Sequence, residues 1–98
     1  VAGVPRALPA LLRAHRLGEK AAHVGFDWQR AADVLAKVDE ELAELRAALA
    51  SGDRGAVAAE LGDTLQALAS FGRHLELHAE DALQGANDRF VRRFRRME

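Results

Sequence analysis

Apolar residues recur at the three- and four-residue spacing of amphipathic α-helices in four successive segments of the chain. This pattern predicts helices over residues 9–24, 31–50, 56–75 and 79–97. The apolar stripe of the second helix comprises Val34, Leu35, Val38, Leu42, Leu45 and Leu49. The third stripe comprises Val57, Leu61, Leu65, Leu68 and Leu75, and the fourth Leu83, Ala86, Phe90, Phe94 and Met97. No segment alternates apolar and polar positions for long enough to predict a strand, so the expected fold is an all-α, four-helix bundle.

The predicted helices are separated by residues that commonly interrupt or cap helices. Pro9 suits the first turn of the first helix, and Gly25 suits its end. Asp27, in the turn that follows, is a candidate cap for the second helix. The run Ser51-Gly52-Asp53 separates the second helix from the third. Short connections of this kind favour helices that pack against their neighbours in sequence.

Composition narrows the class of protein further. At 98 residues the chain has room for one domain, which we place over 1–98. The absence of cysteine excludes disulfides, thiolate metal sites and cysteine nucleophiles, and fits a cytoplasmic protein. No signal peptide and no membrane-length apolar run is evident, so we expect no membrane association. Only 5% of residues are aromatic, which is lean for a self-sufficient core and predicts a homodimer or tetramer that completes the bundle.

Charge gives no general support for a nucleic-acid partner. Fourteen basic and fifteen acidic residues leave a net charge of −1. Because the chain has no net basic charge, phosphate binding and helix capping are the better interpretation of the arginines between residues 89 and 96.

Two pairs of carboxylates stand on the flanks of apolar stripes rather than on the solvated faces opposite them. Glu41 and Glu44 lie on the second helix, and Glu60 and Asp63 on the third. Antiparallel packing of the two stripes would bring these four carboxylates together, where they would repel one another without a cation between them. An all-oxygen site of this kind favours a hard divalent ion, Mg²⁺ above all. The alternative is a solvated face with ordinary ion pairs; a di-iron site is set aside because no Glu-x-x-His is present.

The same residues carry a resemblance to a known family. Glu40-Glu41-Leu42-Ala43-Glu44, followed by Glu60-Leu61-Gly62-Asp63, is similar to the EExxE…ExxD signature of the MazG nucleotide pyrophosphohydrolases. Further strings resemble the catalytic domain of that family in order and spacing: PALLRAHRLGEKAAHVGFDW, KVDEELAEL, ELGDTLQAL, RHL and ANDRFVRRFRRME. The likeness covers nearly the whole chain and is greatest to the second domain of two-domain members. It implies the all-α fold of the NTP pyrophosphatases, whose relatives include dimeric dUTPases and phosphoribosyl-ATP pyrophosphohydrolases.

The resemblance also implies an activity, a cofactor and site residues. Members cleave nucleoside triphosphates between the α- and β-phosphates, releasing a monophosphate and pyrophosphate. Carried over by motif, the ligands of Mg²⁺, with Mn²⁺ as an alternative, are Glu41, Glu44, Glu60 and Asp63. The residues expected near the phosphates are Lys37, Arg89 and Arg93, and Asn87 matches a family asparagine of the final helix. Because nothing in the chain looks like a covalent nucleophile, metal-activated water attacking the α-phosphorus is the simplest mechanism.

Some residues have both a functional and a structural interpretation. Glu40 is a candidate to orient water, and its favoured alternative is a solvated carboxylate. Trp28 and Phe26 are candidates to stack on a nucleobase, with a hydrophobic plug as the favoured alternative. His74 and His78 span a helix junction, which disfavours metal binding.

Two departures from the family pattern stand out. Thr64 and Gln66 replace apolar residues after ExxD, which would alter packing against a partner. In this family, domains often continue beyond the position of Glu98 with a further helical segment that helps to cover the site.

The sequence leaves two further functions open. One is a non-catalytic helical module for dimerisation or regulation, and the other is a narrower enzyme that acts on dUTP or phosphoribosyl-ATP. We expect Glu41→Gln and Asp63→Asn to leave the metal-free fold at least as stable, because the sequence pattern offers these carboxylates no structural counter-ion.

Overall fold

The computed structural model describes residues 3–97, and four helices account for most of them. They are α1 (Ala10–His23), α2 (Ala31–Ser51), α3 (Arg54–His74) and α4 (Ala79–Met97). Each end lies within two residues of the predicted position, and no strand occurs in the described part of the chain. The all-α prediction is confirmed. The predicted domain, 1–98, also includes residues 1, 2 and 98, which lie outside the described residues.

Local chemistry explains where the central helices end and begin. The Asp53 carboxylate accepts hydrogen bonds from the backbone N–H groups of Gly55 (2.9 Å) and Ala56 (3.2 Å), which caps α3. Gly52 adopts a left-handed conformation (φ 76°) that ends α2 directly before this cap. Asp27 does not cap α2, contrary to the prediction. Arg30 occupies the N-cap position without a side-chain hydrogen bond, and the Asp27 carboxylate is engaged by Arg73 of α3 instead.

α2 and α3 pack as a helical hairpin, and α1 and α4 pack outside it. α2 and α3, joined by a tight turn, form the most extensive interface, and α1 packs on α3 and α4. α4 contacts α1 and α3 but makes no contact with α2 within residues 3–97. None of the four described helices combines the length and apolarity needed to cross a membrane.

The core of the single chain is small, and it does not coincide with the predicted stripe of α3. Its buried apolar residues are Val34, Val38, Ala48 and Ala69. On α3 the buried residues are Thr64 and Ala69, whereas the predicted leucines are partly exposed: Leu61, Leu65 and Leu68 at 50%, 44% and 42%. The periodicity identified an apolar face correctly, but α2 packs against the neighbouring face of small and polar side chains.

α4 buries none of its residues in the single chain. Its apolar stripe is exposed at Leu83, Phe90, Phe94 and Met97, and the Phe90 and Phe94 rings stack on each other with centroids 6.3 Å apart. Completion of the bundle by a second copy therefore stays a prediction, although these exposed faces are what it requires.

Candidate active site

Three of the predicted carboxylates converge where α2 packs on α3. Glu41 on α2 and Glu60 and Asp63 on α3 each offer an oxygen, and these oxygens lie within 4.8 Å of one another. Glu41 is buried, with its side chain 8% exposed. One oxygen of Glu41 and one of Glu60, Oε2 in each case, are buried without a hydrogen-bond partner. Because unpartnered buried oxygens are costly, this donor set fits a hard divalent cation.

Lys37 lies one turn before Glu41 and neutralises part of the cluster. Its Nζ is 3.1 Å from Glu41 Oε1 and 3.5 Å from Glu40 Oε2. The hydrogen bond from Lys37 lowers the pKa of Glu41, and the same contact raises the pKa of Lys37. Glu41 thus has a structural counter-ion, contrary to the expectation that it had none. A charge-neutralising substitution at Glu41 would leave the Lys37 ammonium without its closest carboxylate.

The pKa of Glu60 shifts in the opposite direction to that of Glu41. Burial, together with the adjacent carboxylates of Glu41 and Glu44, raises the pKa of Glu60 to about 7. Glu44 is exposed and lies outside the set of three converging carboxylates, although its charge acts on Glu60. The backbone carbonyl of Glu60 accepts a 2.7 Å hydrogen bond from the hydroxyl of Thr64. Thr64, a departure from the family pattern, is therefore a buried and satisfied residue directly beside the cluster.

A cleft of about 450 Å³ opens beside this cluster, between α1, α2, α3 and the turn that follows α1. Charged residues Lys37, Glu41 and Asp63 form one part of its wall, and Phe26 and Trp28 form another. The remaining lining residues are Ala14, Leu17, Gly18, Ala21, Asp27, Val34, Gln66, Ala67, Ser70 and Arg73. The cleft therefore combines an acidic, cation-binding end with an aromatic wall, which is the arrangement that a nucleotide bound through a metal requires.

The remaining predicted site residues are not assembled at this cleft within one chain. Glu40 is exposed and reaches the cluster only through its ion pair with Lys37. Asn87, Arg89 and Arg93 are exposed on α4 and do not line the cleft. Among the described residues, α4 makes no contact with α2, the helix that carries Lys37 and Glu41.

Two contacts join distant segments and have no counterpart in the predictions from the sequence. The Asp27 carboxylate accepts hydrogen bonds from Arg73 Nη2 (2.6 Å) and Nη1 (3.2 Å), and His74 Nε2 lies 2.8 Å from its Oδ1. The His15 and His78 rings stack with centroids 4.2 Å apart. No local pattern relates positions 27 and 73 or 15 and 78, so no sequence signal could have found these pairs. His74 and His78 have different partners, since His74 lies against Asp27 and His78 stacks on His15.

Comparison with known proteins identifies the family to which this chain is similar. Residues 13–89 match the phosphoribosyl-ATP pyrophosphohydrolase family. The chain belongs to this family. All of the converging carboxylates and Lys37 fall inside the matched range, and Arg93 falls outside it.

Individual relatives support the MazG resemblance more narrowly. The chain is 45% identical over 97 residues to a nucleoside triphosphate pyrophosphohydrolase of Escherichia coli K12, covering 97% of this chain and 37% of that protein. It is 41% identical over 91 residues to the nucleoside triphosphate pyrophosphohydrolase/pyrophosphatase MazG of Thermotoga maritima, covering 93% and 34%. The chain thus spans little more than a third of the length of these relatives, and the predicted family membership is confirmed.

Proposed function

We propose that this domain hydrolyses nucleoside triphosphates, ribo- or deoxyribonucleotides, to a nucleoside monophosphate and pyrophosphate with Mg²⁺ as cofactor. The observation that carries the proposal is the three-carboxylate cluster, with two buried unpartnered oxygens, beside a nucleotide-sized cleft that Glu41 and Asp63 help to line. Family membership supports the reaction class, because the relatives are named for this activity. A role in removing unwanted nucleotides and a cytoplasmic location belong to the same proposal.

The acidic residues would hold the cation. Glu41, Glu60 and Asp63 supply converging oxygens, and Glu44 adds negative charge beside them. When bound, Mg²⁺ supplies neutralisation of the polyphosphate charge and a lowered pKa for water at the site. Mn²⁺ prefers similar ligands and is the alternative ion.

The remaining site residues act on substrate and water. Lys37 keeps Glu41 charged, and its partly exposed ammonium can also bind a phosphate oxygen that enters the cleft. Water attacks the α-phosphorus, the bond to the α–β bridging oxygen breaks, and pyrophosphate leaves. Glu40, paired with Lys37 and open to solvent, is assigned to orient that water and accept its proton. Trp28 is assigned to contact the nucleobase from the aromatic wall.

The polar residues of α4 require a second copy of the chain in this scheme. Arg89 and Arg93 are assigned to the polyphosphate and Asn87 to a supporting contact. Because these side chains do not line the cleft of their own chain, they would serve the cleft of a neighbouring protomer. We therefore include a homodimer or tetramer in the proposal, with the partly exposed leucines of α3 and the apolar stripe of α4 as its contact surfaces.

The test is incubation with a panel of NTPs and dNTPs, together with dUTP and phosphoribosyl-ATP, in the presence of Mg²⁺. Pyrophosphate and orthophosphate are assayed separately, and Asp63→Asn is the inactive reference. We expect pyrophosphate with a nucleoside monophosphate. Orthophosphate with a diphosphate would contradict the assigned cleavage position.

Two other results would change the assignment. Selective turnover of phosphoribosyl-ATP would establish the narrower function that the family description favours. Absence of turnover with every substrate, at saturating Mg²⁺, would leave the non-catalytic helical module as the better description.

A further inference from the structure

The Asp27 carboxylate connects the turn between α1 and α2 to the C-terminal end of α3. Asp27 receives two hydrogen bonds from the Arg73 guanidinium, lies 2.8 Å from His74 Nε2, and accepts the backbone N–H of Trp28 at 2.8 Å. A bidentate arginine–carboxylate pair fixes orientation as well as distance. One carboxylate thus joins the backbone next to Trp28 to a helix 46 residues further along the chain.

Arg73 reaches Asp27 by crossing α1 at a glycine. A Cβ placed on Gly18 would lie 2.8 Å from Arg73 Nε, closer than packed atoms allow. The Arg73 side chain is only 13% exposed, and its Nε is buried. Glycine is unfavourable inside a helix, so its presence at this position is explained by the passage of the arginine.

The segment that this contact fastens has little else to hold it. Phe26 and Trp28 are 78% and 48% exposed, so burial does not fix their positions. The Phe26 N–H bonds to the carbonyl of Ala21 at 2.9 Å, which ties down the start of the turn but not Trp28. Both aromatic side chains nevertheless line the same cleft as Lys37, Glu41 and Asp63.

We propose that Asp27 and Arg73 are positioning residues that hold Phe26 and Trp28 as the nucleobase-binding wall of the cleft. This inference rests on the proposed function, since it assumes that a nucleotide lies with its phosphates at the acidic cluster. The fixed wall presents aromatic faces to the base at no ordering cost on binding. Its loss weakens recognition of the base and leaves recognition of the triphosphate unchanged.

The first experiment needs no activity, because Trp28 is the single tryptophan of the chain. Acrylamide quenching of its fluorescence is measured for wild type, Asp27→Asn and Gly18→Ala. Gly18→Ala displaces the arginine without changing any charge. Asp39→Asn is the control, because it makes the same change as Asp27→Asn at an exposed position of α2 that does not line the cleft. We expect quenching to increase in Asp27→Asn and Gly18→Ala and to stay at the wild-type value in Asp39→Asn.

The second experiment separates base recognition from the chemical step. For an accepted NTP, we expect KM to rise roughly fivefold or more in Asp27→Asn and Gly18→Ala, the loss expected when a stacked base is released. We expect kcat to stay within about twofold of wild type, because the acidic cluster is untouched. Inorganic triphosphate with Mg²⁺, used as an inhibitor without a base, should keep its inhibition constant in both variants.

The proposal is overturned if both variants match wild type in quenching and KM, or if kcat falls while KM is unchanged. An equal weakening of inorganic triphosphate and NTP also overturns it, because a general loosening of the fold affects both. Melting curves select a temperature at which all four proteins are folded. A failure of the proposed function appears differently, as absence of turnover in wild type with the quenching result intact.

Discussion

At the scale of single residues, the surroundings of Glu60 and its proposed role favour different protonation states. Its buried oxygen and its acidic neighbours favour the protonated acid, whereas coordination of a cation requires the carboxylate. With a pKa raised to about 7 in the folded state, Glu60 costs the metal-free protein stability as the pH rises through that value. Below the ordinary pKa of a glutamate the cost is absent. We therefore expect this group to couple proton release to the binding of a cation.

We predict that the affinity for Mg²⁺ rises between pH 6 and pH 8 and that binding near pH 7 releases a proton, since Glu60 must lose it to act as a ligand. Titration calorimetry in two buffers of different ionisation enthalpy measures the proton released. Glu60→Gln should abolish the release and make the metal-free melting temperature less sensitive to pH. An affinity that is flat across this range would contradict the assignment of Glu60 as a ligand.

For Asp63 we predict that a neutral substitution lowers turnover and leaves the fold intact. Asp63→Asn should lower kcat roughly 100-fold, because a misplaced cation misaligns the phosphates. Mg²⁺ should raise the melting temperature of wild type by mass action and do so less in Asp63→Asn. Asp39→Asn, the same change at an exposed position of α2, is the control and should leave both measurements unchanged. Unchanged turnover in Asp63→Asn would refute the catalytic assignment.

Glu41→Gln needs a separate expectation because of Lys37. The pair at 3.1 Å gives Glu41 a stabilising partner, so the amide should not raise the stability of the metal-free fold as relief of repulsion alone would. The change should still remove most turnover, and thermal melting beside an NTP assay distinguishes the two effects.

At the scale of elements, α4 is the least secured helix. None of its residues is buried, and the start of the helix is fastened to α1 by the stacked rings of His15 and His78. His15 is 5% exposed, and its Nδ1 has no hydrogen-bond partner. Burial lowers the pKa of His15, as do His78, Arg16 and Arg73, while Glu19 acts in the opposite direction. A proton on His15 is thus disfavoured in the folded state.

This contact predicts an acid-sensitive attachment of α4. Because the folded-state pKa of His15 lies below its usual value of 6.5, its contribution to stability is complete above that pH and is lost as the pH falls below it. Melting temperatures between pH 7.5 and 5.5 should therefore fall more steeply for wild type than for His15→Phe, which keeps an aromatic ring without a titratable group. Parallel curves would show that the stacked pair does not couple α4 to pH.

At the scale of the whole molecule, the single chain leaves too much apolar surface uncovered. A groove of about 430 Å³ between α1, α3 and α4 is lined by Leu11, Leu65 and Leu83 among others. The phenylalanines of α4 are exposed as well, and exposed apolar faces of this kind often mark contact surfaces.

We predict a dimer or tetramer at micromolar concentration by analytical sedimentation. Leu65→Glu and Phe94→Glu should each shift the population towards monomer, because a charge on a buried apolar contact is costly. Leu77→Glu, at an exposed position in the turn between α3 and α4, is the control and should leave the assembly unchanged. A compact wild-type monomer would contradict the prediction.

The sequence by itself determined what depends on neighbours along the chain. Helix bounds followed from residue propensity, the Asp53 cap and the Gly52 end, all of which act within one turn. The i, i+3 spacing of Glu60 and Asp63 was sufficient to put both on one flank of α3, because helical geometry is regular. The Lys37–Glu41 pair, at i, i+4, is also within reach of the sequence, although the family resemblance by itself points to a phosphate contact for Lys37.

Only the tertiary structure decided which surfaces meet. An apolar stripe does not specify its partner, and α2 packed on the face of Thr64 and Ala69 while Leu61, Leu65 and Leu68 stayed partly exposed. The contact of Asp27 with Arg73 depends on the path of a side chain over Gly18, which the order of residues does not encode locally. The raised pKa of Glu60 likewise required burial and two neighbouring carboxylates, conditions that exist only once the helices are packed.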